Sequence, residues 1–453
     1  MADVMAPQRR RLPKLGDTTI SLGLSVLVIL ALAVFFVVPV IAILWRSFDT
    51  GAGFGLGNYV AALSDPRIWE LVINSLAVSG LSAICAVTLA YFYAYALQRT
   101  NVVWKSALRM VVMLPLFAPS LIQAQGLIFL LGRNGIFNRF LGFDIEIYGF
   151  WGVAIANTLY TFPYAFLILS AALAVADARL YEGAIVMGAR PFKIFRTVTL
   201  ASTKFGIAAA LFVAFSLSIT DFGNAIVIGG NFDVLATEIY SKVIGQAQFH
   251  LGAVIGVILL VPAALSKLIV ERISKKQHSQ VTAKSVALQI RPNRRRDWMF
   301  GTYAGLIVVV FLSVPLIVVF ASLVKLWPYN MSFALQHYRF DVQNGTAPLW
   351  NSIGVAMATA FFGVIAVFAA AIVTLKFRTP LSGPISFLAT LPASIPGMVL
   401  GLGYVLAFNS LSNPLNFLYG TFPLIILLYI YYNHAQGYLI TATSLKQISN
   451  TFD

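Results

Sequence analysis

Long apolar runs alternate with short polar, charged stretches along the 453 residues of this chain. Ten runs are long enough to cross a bilayer, which takes about 20 residues of helix. Their limits are 20–45, 70–97, 108–132, 149–175, 204–228, 249–270, 299–324, 349–375, 385–408 and 421–442. The first follows Arg9-Arg10-Arg11, as a signal peptide would, yet it is too long for the apolar part of one and has no convincing cleavage site. It is read as a spanning helix behind a tail over 1–19. The stretch 271–298 is polar and basic and reads as a linker. It divides the chain into 20–270, with six helices, and 299–453, with four.

Composition agrees with this pattern. The chain is 59% hydrophobic and only 10% charged, whereas soluble domains carry about 25% charged residues. A soluble globule has no place to hide so much apolar surface, so the fold class is all-α integral membrane protein. The net charge of +15 raises nucleic acid as a partner, but the cations sit between apolar runs. That is the footprint of membrane orientation, and the lipid bilayer is the partner it implies.

With the N-terminus inside, 24 of the 31 Lys and Arg fall on the cytoplasmic side. They include Arg9, Arg10, Arg11, Lys14, Arg99, Lys105 and Arg109, then Arg179, Arg190, Lys193, Arg196 and Lys204, then the cluster from Lys267 to Arg296 with Lys284, Arg291, Arg294 and Arg295, and finally Lys376, Arg378 and Lys446. Only Arg46, Arg67, Arg133, Arg139, Lys242, Lys325 and Arg339 fall on the other side. This bias orients the chain with a cytoplasmic N-terminus.

The two halves repeat each other. Asn74-Ser75 recurs as Asn351-Ser352, Leu114-Pro115 as Leu391-Pro392, Pro119 as Pro396 and Gly126 as Gly403, all at a shift of 277. An even number of helices separates equivalents, so both copies share one orientation. Duplication around a central path is implied. Ala172-Leu173 aligns with Ser444-Leu445 at a shift of 272, which puts the equivalent of Glu182 one position past Asp453. The expectation is a truncated second core, with two further helices to follow.

Little chemistry is visible. The four histidines, His250, His278, His337 and His434, show no ligand spacing. The single cysteine, Cys85, rules out an intrachain disulfide framework and a Cys-rich metal site. No catalytic residue, metal site or cofactor is expected, and no Walker lysine motif is present. Asp221 is the most informative acid, because a carboxylate inside apolar segment five costs a few kcal/mol unless it meets water, a partner or a polar path. It is read in two ways: with Asn224 and Thr220 on a translocation path, or as the cap of a helix broken near Gly223. Gln123 and Gln125 are further path candidates, with helix-to-helix hydrogen bonding as the plainer reading. Pro115, Pro119, Pro392 and Pro396 are expected to bend helices three and nine at equivalent places.

One loop, about 177–204, carries a short island of small and polar residues, Glu182-Gly183-Ala184-Ile185-Val186-Met187-Gly188-Ala189. It reads as a short helix ending in a glycine turn. It resembles the Glu-Ala-Ala loop of ATP-binding-cassette importer permeases, whose pattern is Glu-Ala-Ala, three residues, Gly, nine residues, Ile-x-Leu-Pro. Glu182, Ala184 and Gly188 match, Ala189 follows the glycine, and Leu200 falls at the expected spacing. Gly183, Val198 and Ala201 depart from the pattern, and Gly183 in place of Ala loosens the helix by about 1 kcal/mol.

The whole chain resembles a fused ABC permease of the iron(III)/2-aminoethylphosphonate type. The phosphonate variant is the more specific match, through Ile219-Thr220-Asp221-Phe222-Gly223, Val227-Ile228-Gly229-Gly230, Leu235-Ala236-Thr237, Val243-Ile244-Gly245-Gln246, Leu326-Trp327-Pro328-Tyr329-Asn330, His337-Tyr338 and Pro414-Leu415-Asn416-Phe417. Asn224-Ala225-Ile226 departs from it. The resemblance implies the type I ABC importer fold with two tandem permease cores, in a bacterial inner membrane. It implies two cytoplasmic ATPase subunits that grip the Glu182 loop and a periplasmic solute-binding protein that delivers substrate. The substrate implied is 2-aminoethylphosphonate, with iron(III) as the alternative on the same architecture. A secondary transporter driven through Asp221 is a second class, against which the Glu182 loop argues. A membrane-embedded enzyme needs paired acids or histidines at one depth, and none are found.

Overall fold

Apolar runs of this length have one open-ended form in hydrocarbon, the helix, because it pairs its backbone groups internally. The computed structural model describes residues 15–175, 177–280, 290, 292–339, 345–377 and 379–447, and it is helical apart from one two-stranded hairpin. Arg9, Arg10, Arg11, Lys14, Lys284, Arg291, Arg378 and Asp453 lie outside the described residues, with most of the tail and part of the linker.

The chain begins with α1 (Thr19–Phe48), which includes a π turn at Ala33–Val37. The short α2 (Gly57–Ser64) leads to the long α3 (Pro66–Arg99). Next come α4 (Lys105–Met113), α5 (Ser120–Leu131) and α6 (Ile136–Leu141). The helices α7 (Phe150–Ala174), α8 (Ala178–Val186) and α9 (Pro191–Ile219) follow. Two short helices, α10 (Gly223–Ile228) and α11 (Leu235–Tyr240), precede α12 (Phe249–Gln280). The second half opens with α13 (Arg294–Ser322) and the hairpin β1 (Val324–Leu326) and β2 (Asn330–Phe333). It continues through α14 (Ala347–Phe377), α15 (Ser382–Thr390), α16 (Gly397–Phe408) and α17 (Phe422–Gln447).

Among the described residues seven helices are long and apolar enough to cross a membrane, and nine if each of two bent pairs counts as one span. The tenth expected span is α17, which has 26 residues but carries Asn433, His434 and Gln436 at its middle. Three expected spans are not continuous. The run 108–132 is α4 and α5 bent by 106°, and 385–408 is α15 and α16 bent by 113°. In both, the first proline starts a tight 3-10 turn, at Leu114–Phe117 and Leu391–Ser394. The residue before the second proline, Ala118 or Ile395, is then driven into extended backbone, at φ −111° and −107°. Clash with the proline ring disfavours a helical conformation there. Pro119 and Pro396 therefore make the corners. The run 204–228 also breaks, between Ile219 and Gly223.

The chain forms two compact units: Arg46–Gly345, and Met1–Trp45 with Thr346–Asp453. This partition differs from the sequence halves in one respect, since the first helix of each half belongs with the other half. In the first unit α13 packs on α3, α4 and α5; in the second α1 packs on α14 and α15. Gly126 and Gly403 have no Cβ because backbone crosses there.

The core of the first unit is α3, α7 and α9, with α12 against α9. The packed face of α3 is made of small side chains, including Ser79, Ser82, Ala83 and Ala86, all fully buried. Small residues let membrane helices approach closely. In the second unit α14 and α17 pair as α3 and α7 do. There the matching positions Ala356, Thr359, Ala360 and Gly363 line a groove of about 830 Å³.

Candidate functional site

The Glu182 loop folds as a helix with both ends closed by their own residues. Asp177 caps the start of α8 by accepting from the Arg179 N–H at 3.1 Å. At the other end Gly188 takes φ +73°, a left-handed conformation open to glycine at little cost. The Ala189 N–H then returns to the Ala184 carbonyl at 3.0 Å and the Gly188 N–H to Ile185 at 2.9 Å. This pair of bonds is the Schellman closure, which satisfies carbonyls that a helix end leaves free.

The helix has two faces. Ala178, Tyr181 and Ala184 are buried, while Glu182 and Gly183 are exposed. A Cβ on Gly183 would meet nothing within 4 Å, so the departure from Ala there is not imposed by packing. Val186 is 87% exposed and Met187 80%, with Leu180, Ile185 and Phe192 also in the open. Arg179, Arg190, Lys193 and Arg196 are exposed around them. An exposed apolar knob rimmed by cations has the character of an interaction surface. Leu200 is half-buried within α9, away from this knob.

What holds α8 in place is made by residues that the sequence shows only as charge or not at all. The Tyr181 hydroxyl donates to Thr199 Oγ1 of α9 at 3.1 Å. The guanidinium of Arg99 lies over the Tyr181 ring at 5.1 Å. Arg99 was counted among the orienting cations, yet it is 7% exposed. Its burial has no signature in the sequence beyond its place at the end of an apolar run.

A second polar cluster sits where the broken helices meet. Asp221 accepts from the Asn224 N–H at 2.8 Å, so its carboxylate holds the start of α10. The Ser120 hydroxyl, at the start of α5, reaches the same carboxylate. A Cβ on Gly223 would run into that hydroxyl and displace it from the carboxylate. The Thr220 hydroxyl turns back to the Ser216 carbonyl at 2.9 Å. Asn224 is fully buried; its amide donates to Asn157 Oδ1 at 2.9 Å, and Asn157 donates to Ser218 Oγ at 2.9 Å. This chain links α7, α9 and α10 across the core. Gln123 is buried and its amide nitrogen donates to the Ser120 and Pro119 carbonyls, while Gln125 is half-buried. Asn157 and Ser218 were missed, although an Asn within an apolar run is itself a signal.

The Asn74-Ser75 pair that marks the repeat has a fastening role in the first unit. Asn74 donates to the Asp233 carbonyl at 3.1 Å, and the Leu235 N–H donates to Ser75 Oγ at 2.9 Å. The loop before α11 is thereby tied to α3. Arg67 adds contacts to Asp233 and to the buried Glu238, each at 3.3 Å, and Lys242 reaches Glu238 at 3.5 Å. A buried carboxylate between two cations is compensated rather than strained.

Comparison with known proteins gives a consistent result. Residues 86–279, from within α3 to the end of α12, match the family model of the binding-protein-dependent transport system inner membrane component. The chain is 28% identical over 452 residues to a provisionally named ferric transport system permease protein of Haemophilus influenzae, covering 95% of this chain and 70% of that one. It is 28% identical over 417 residues to the ferric transport system permease protein of Actinobacillus pleuropneumoniae, covering 87% of this chain and 59% of that one. It is 31% identical over 172 residues to the molybdenum transport system permease protein of Escherichia coli K12, covering 37% of this chain and 75% of that one.

Proposed function

The chain belongs to the family of binding-protein-dependent transport system inner membrane components, and from that premise we propose that it is the membrane-spanning subunit of an ATP-driven importer. The observation that carries the reading is α8, closed at both ends, anchored on one face and presenting Val186 and Met187 on the other. In this reading α8 is the grip of a cytoplasmic ATPase subunit, with Glu182 and the surrounding cations at the rim. The charge bias along the chain supports a cytoplasmic N-terminus, with α8 on the same side. ATP closing the ATPase pair pushes α8, and the helix bundle switches from inward-facing to outward-facing. A periplasmic solute-binding protein delivers the substrate to the other mouth.

For the substrate, iron(III) is the better supported reading. Two relatives aligned over most of this chain are named for ferric transport. The 2-aminoethylphosphonate reading rests on the motifs between Ile219 and Gln246, which surround the break between α9 and α10. Asp221 and Asn224 act on the path in either case by framing it, since their hydrogen bonds hold α10 to α7 and α9. Thr220 and Gln123 adjoin the same frame, and Gln125 follows on α5.

The test is uptake by the protein reconstituted in proteoliposomes with its ATPase and binding protein. Labelled iron(III) and labelled 2-aminoethylphosphonate are supplied in parallel, with and without ATP inside. ATP-dependent accumulation of iron is the expected result. Accumulation of phosphonate alone keeps the importer and replaces its substrate. Uptake without ATP overturns the importer reading.

A further inference from the structure

Arg99 is a buried cation that no carboxylate compensates among the described residues. It ends α3 and is 7% exposed. Its Nη2 donates to the Leu173 carbonyl, in the last turn of α7, at 2.6 Å. Its guanidinium carbon lies 5.1 Å from the centre of the Tyr181 ring on α8. Its Nε is buried with no hydrogen-bond partner.

Taking a charge out of water is costly unless it is paired and hydrogen-bonded. Here the compensation is the negative end of α7 and the face of an aromatic ring. Both depend on orientation. A guanidinium is flat and presents its donors at its edge while its face rests on a ring, which an ammonium cannot reproduce. Three elements therefore meet at one group: the end of α3, the end of α7 and the buried face of α8. Tyr181 carries the connection one step further, through its hydroxyl to Thr199. Thr203, one turn on, takes part in a 3.2 Å hydroxyl pair with Tyr91, which returns to α3. Gln98, beside Arg99, donates to Ser170 of α7 at 2.8 Å. The ends of α3 and α7 are thus joined to each other, and α8 is joined to both through Arg99.

We propose that Arg99 is the positioning residue that makes α3 and α7 move with α8, so that displacement of α8 by the ATPase reaches the core as one rigid step. The proposal rests on the reading of α8 as the ATPase grip. Arg99 touches neither substrate nor ATPase; it acts through Tyr181 and Leu173. A variant that loosens this joint keeps the exposed knob of Val186 and Met187 and keeps ATP hydrolysis, but loses the transfer of motion.

The experiment uses the full-length protein with its ATPase and binding protein in proteoliposomes. Transport is followed with labelled iron(III) citrate, or with labelled 2-aminoethylphosphonate if that is what the wild type takes up. Three quantities are read: capture of the ATPase subunit, ATP hydrolysis, and solute taken up per ATP. For Arg99→Lys and Tyr181→Leu the expected result is unchanged capture, continued hydrolysis and at least a tenfold fall in uptake per ATP. Tyr181→Phe keeps the ring and is expected to stay within about threefold of wild type. The double variant Arg99→Lys, Tyr181→Leu is expected to fall no further than either single one, because both remove one joint. An unchanged ratio in Arg99→Lys overturns the proposal. So does a proportional loss of uptake and hydrolysis, which is the mark of a merely structural residue. Met187→Asp separates the two readings: if it leaves ATPase capture intact, the grip itself is wrong and the joint falls with it; if it abolishes capture, the Arg99 result stands alone.

Discussion

Gly126 of α5 and Val314 of α13 meet with no room between their backbones: a Cβ on Gly126 would lie 2.6 Å from the Val314 carbonyl oxygen. Gly403 of α16 and Pro39 of α1 stand in the same relation, again at 2.6 Å. The glycines are 277 residues apart, the shift of the internal repeat. Each marks where the opening helix of one half crosses the broken helix of the other. An internal repeat alone would not say which opening helix goes where; this pair of contacts does.

Gly403→Ala is therefore expected to force two backbones apart and to destabilise its unit by about 1–3 kcal/mol. Gly401, two residues away, would place a Cβ where nothing lies within 4 Å. Gly401→Ala is expected to leave stability unchanged or to raise it by up to about 1 kcal/mol, the helix preference of alanine. Thermal unfolding of both variants in detergent decides the matter. Equal behaviour of the two would mean that the crossing is not as described.

The closure of α8 predicts opposite effects for its two glycines. Gly188 holds φ +73°, and a side chain in that left-handed region costs about 1–2 kcal/mol. Gly188→Ala is expected to fray the last turn, with faster hydrogen exchange at the Gly188 and Ala189 amides. Gly183 is exposed, within the helix and free of neighbours, so Gly183→Ala is expected to slow exchange along α8 by about 1 kcal/mol in protection. Slower exchange in both variants would contradict the capping geometry.

Asn157 and Asn224 form a buried pair with Ser218. Removing one partner leaves the other unsatisfied in a buried site, at about 1–3 kcal/mol. Asn157→Ala and Asn224→Ala are each expected to lose that much, and the double variant less than their sum. A double-mutant cycle by thermal unfolding measures the difference. Strict additivity would show that the two side chains do not depend on each other.

These sites differ in how far the sequence exposes them. The apolar runs announce the spans because bilayer thickness sets their length. Pro119 and Pro396 announce a break, but not its size, which is 106° at one corner and 113° at the other. The pairing of Asn74-Ser75 with Asn351-Ser352 is legible as a repeat, while its use is not, because the groups it fastens come from the distant loop at Asp233 and Leu235. Arg99 is the clearest case of concealment. At the end of an apolar run a cation reads as an orienting charge, and only the ring of Tyr181 and the carbonyl of Leu173, brought in by folding, turn it inward. Asp221 was read as path residue or cap, and the hydrogen bond from the Asn224 N–H gives it the geometry of a cap.

The two repeats are unequal at one pair of matching positions. Ala83 on α3 is 1% exposed within a packed helix cluster, and Ala360, its counterpart on α14 at the shift of 277, lines an open groove. Ala83→Leu overfills a close-packed site and is expected to cost about 1–3 kcal/mol. Ala360→Leu projects into the groove and is expected to change the stability of this chain by less than about 0.5 kcal/mol, as surface substitutions do. Both are measured by thermal unfolding of this chain in detergent. If Ala360→Leu is already severe in this chain, the groove is not open at that position.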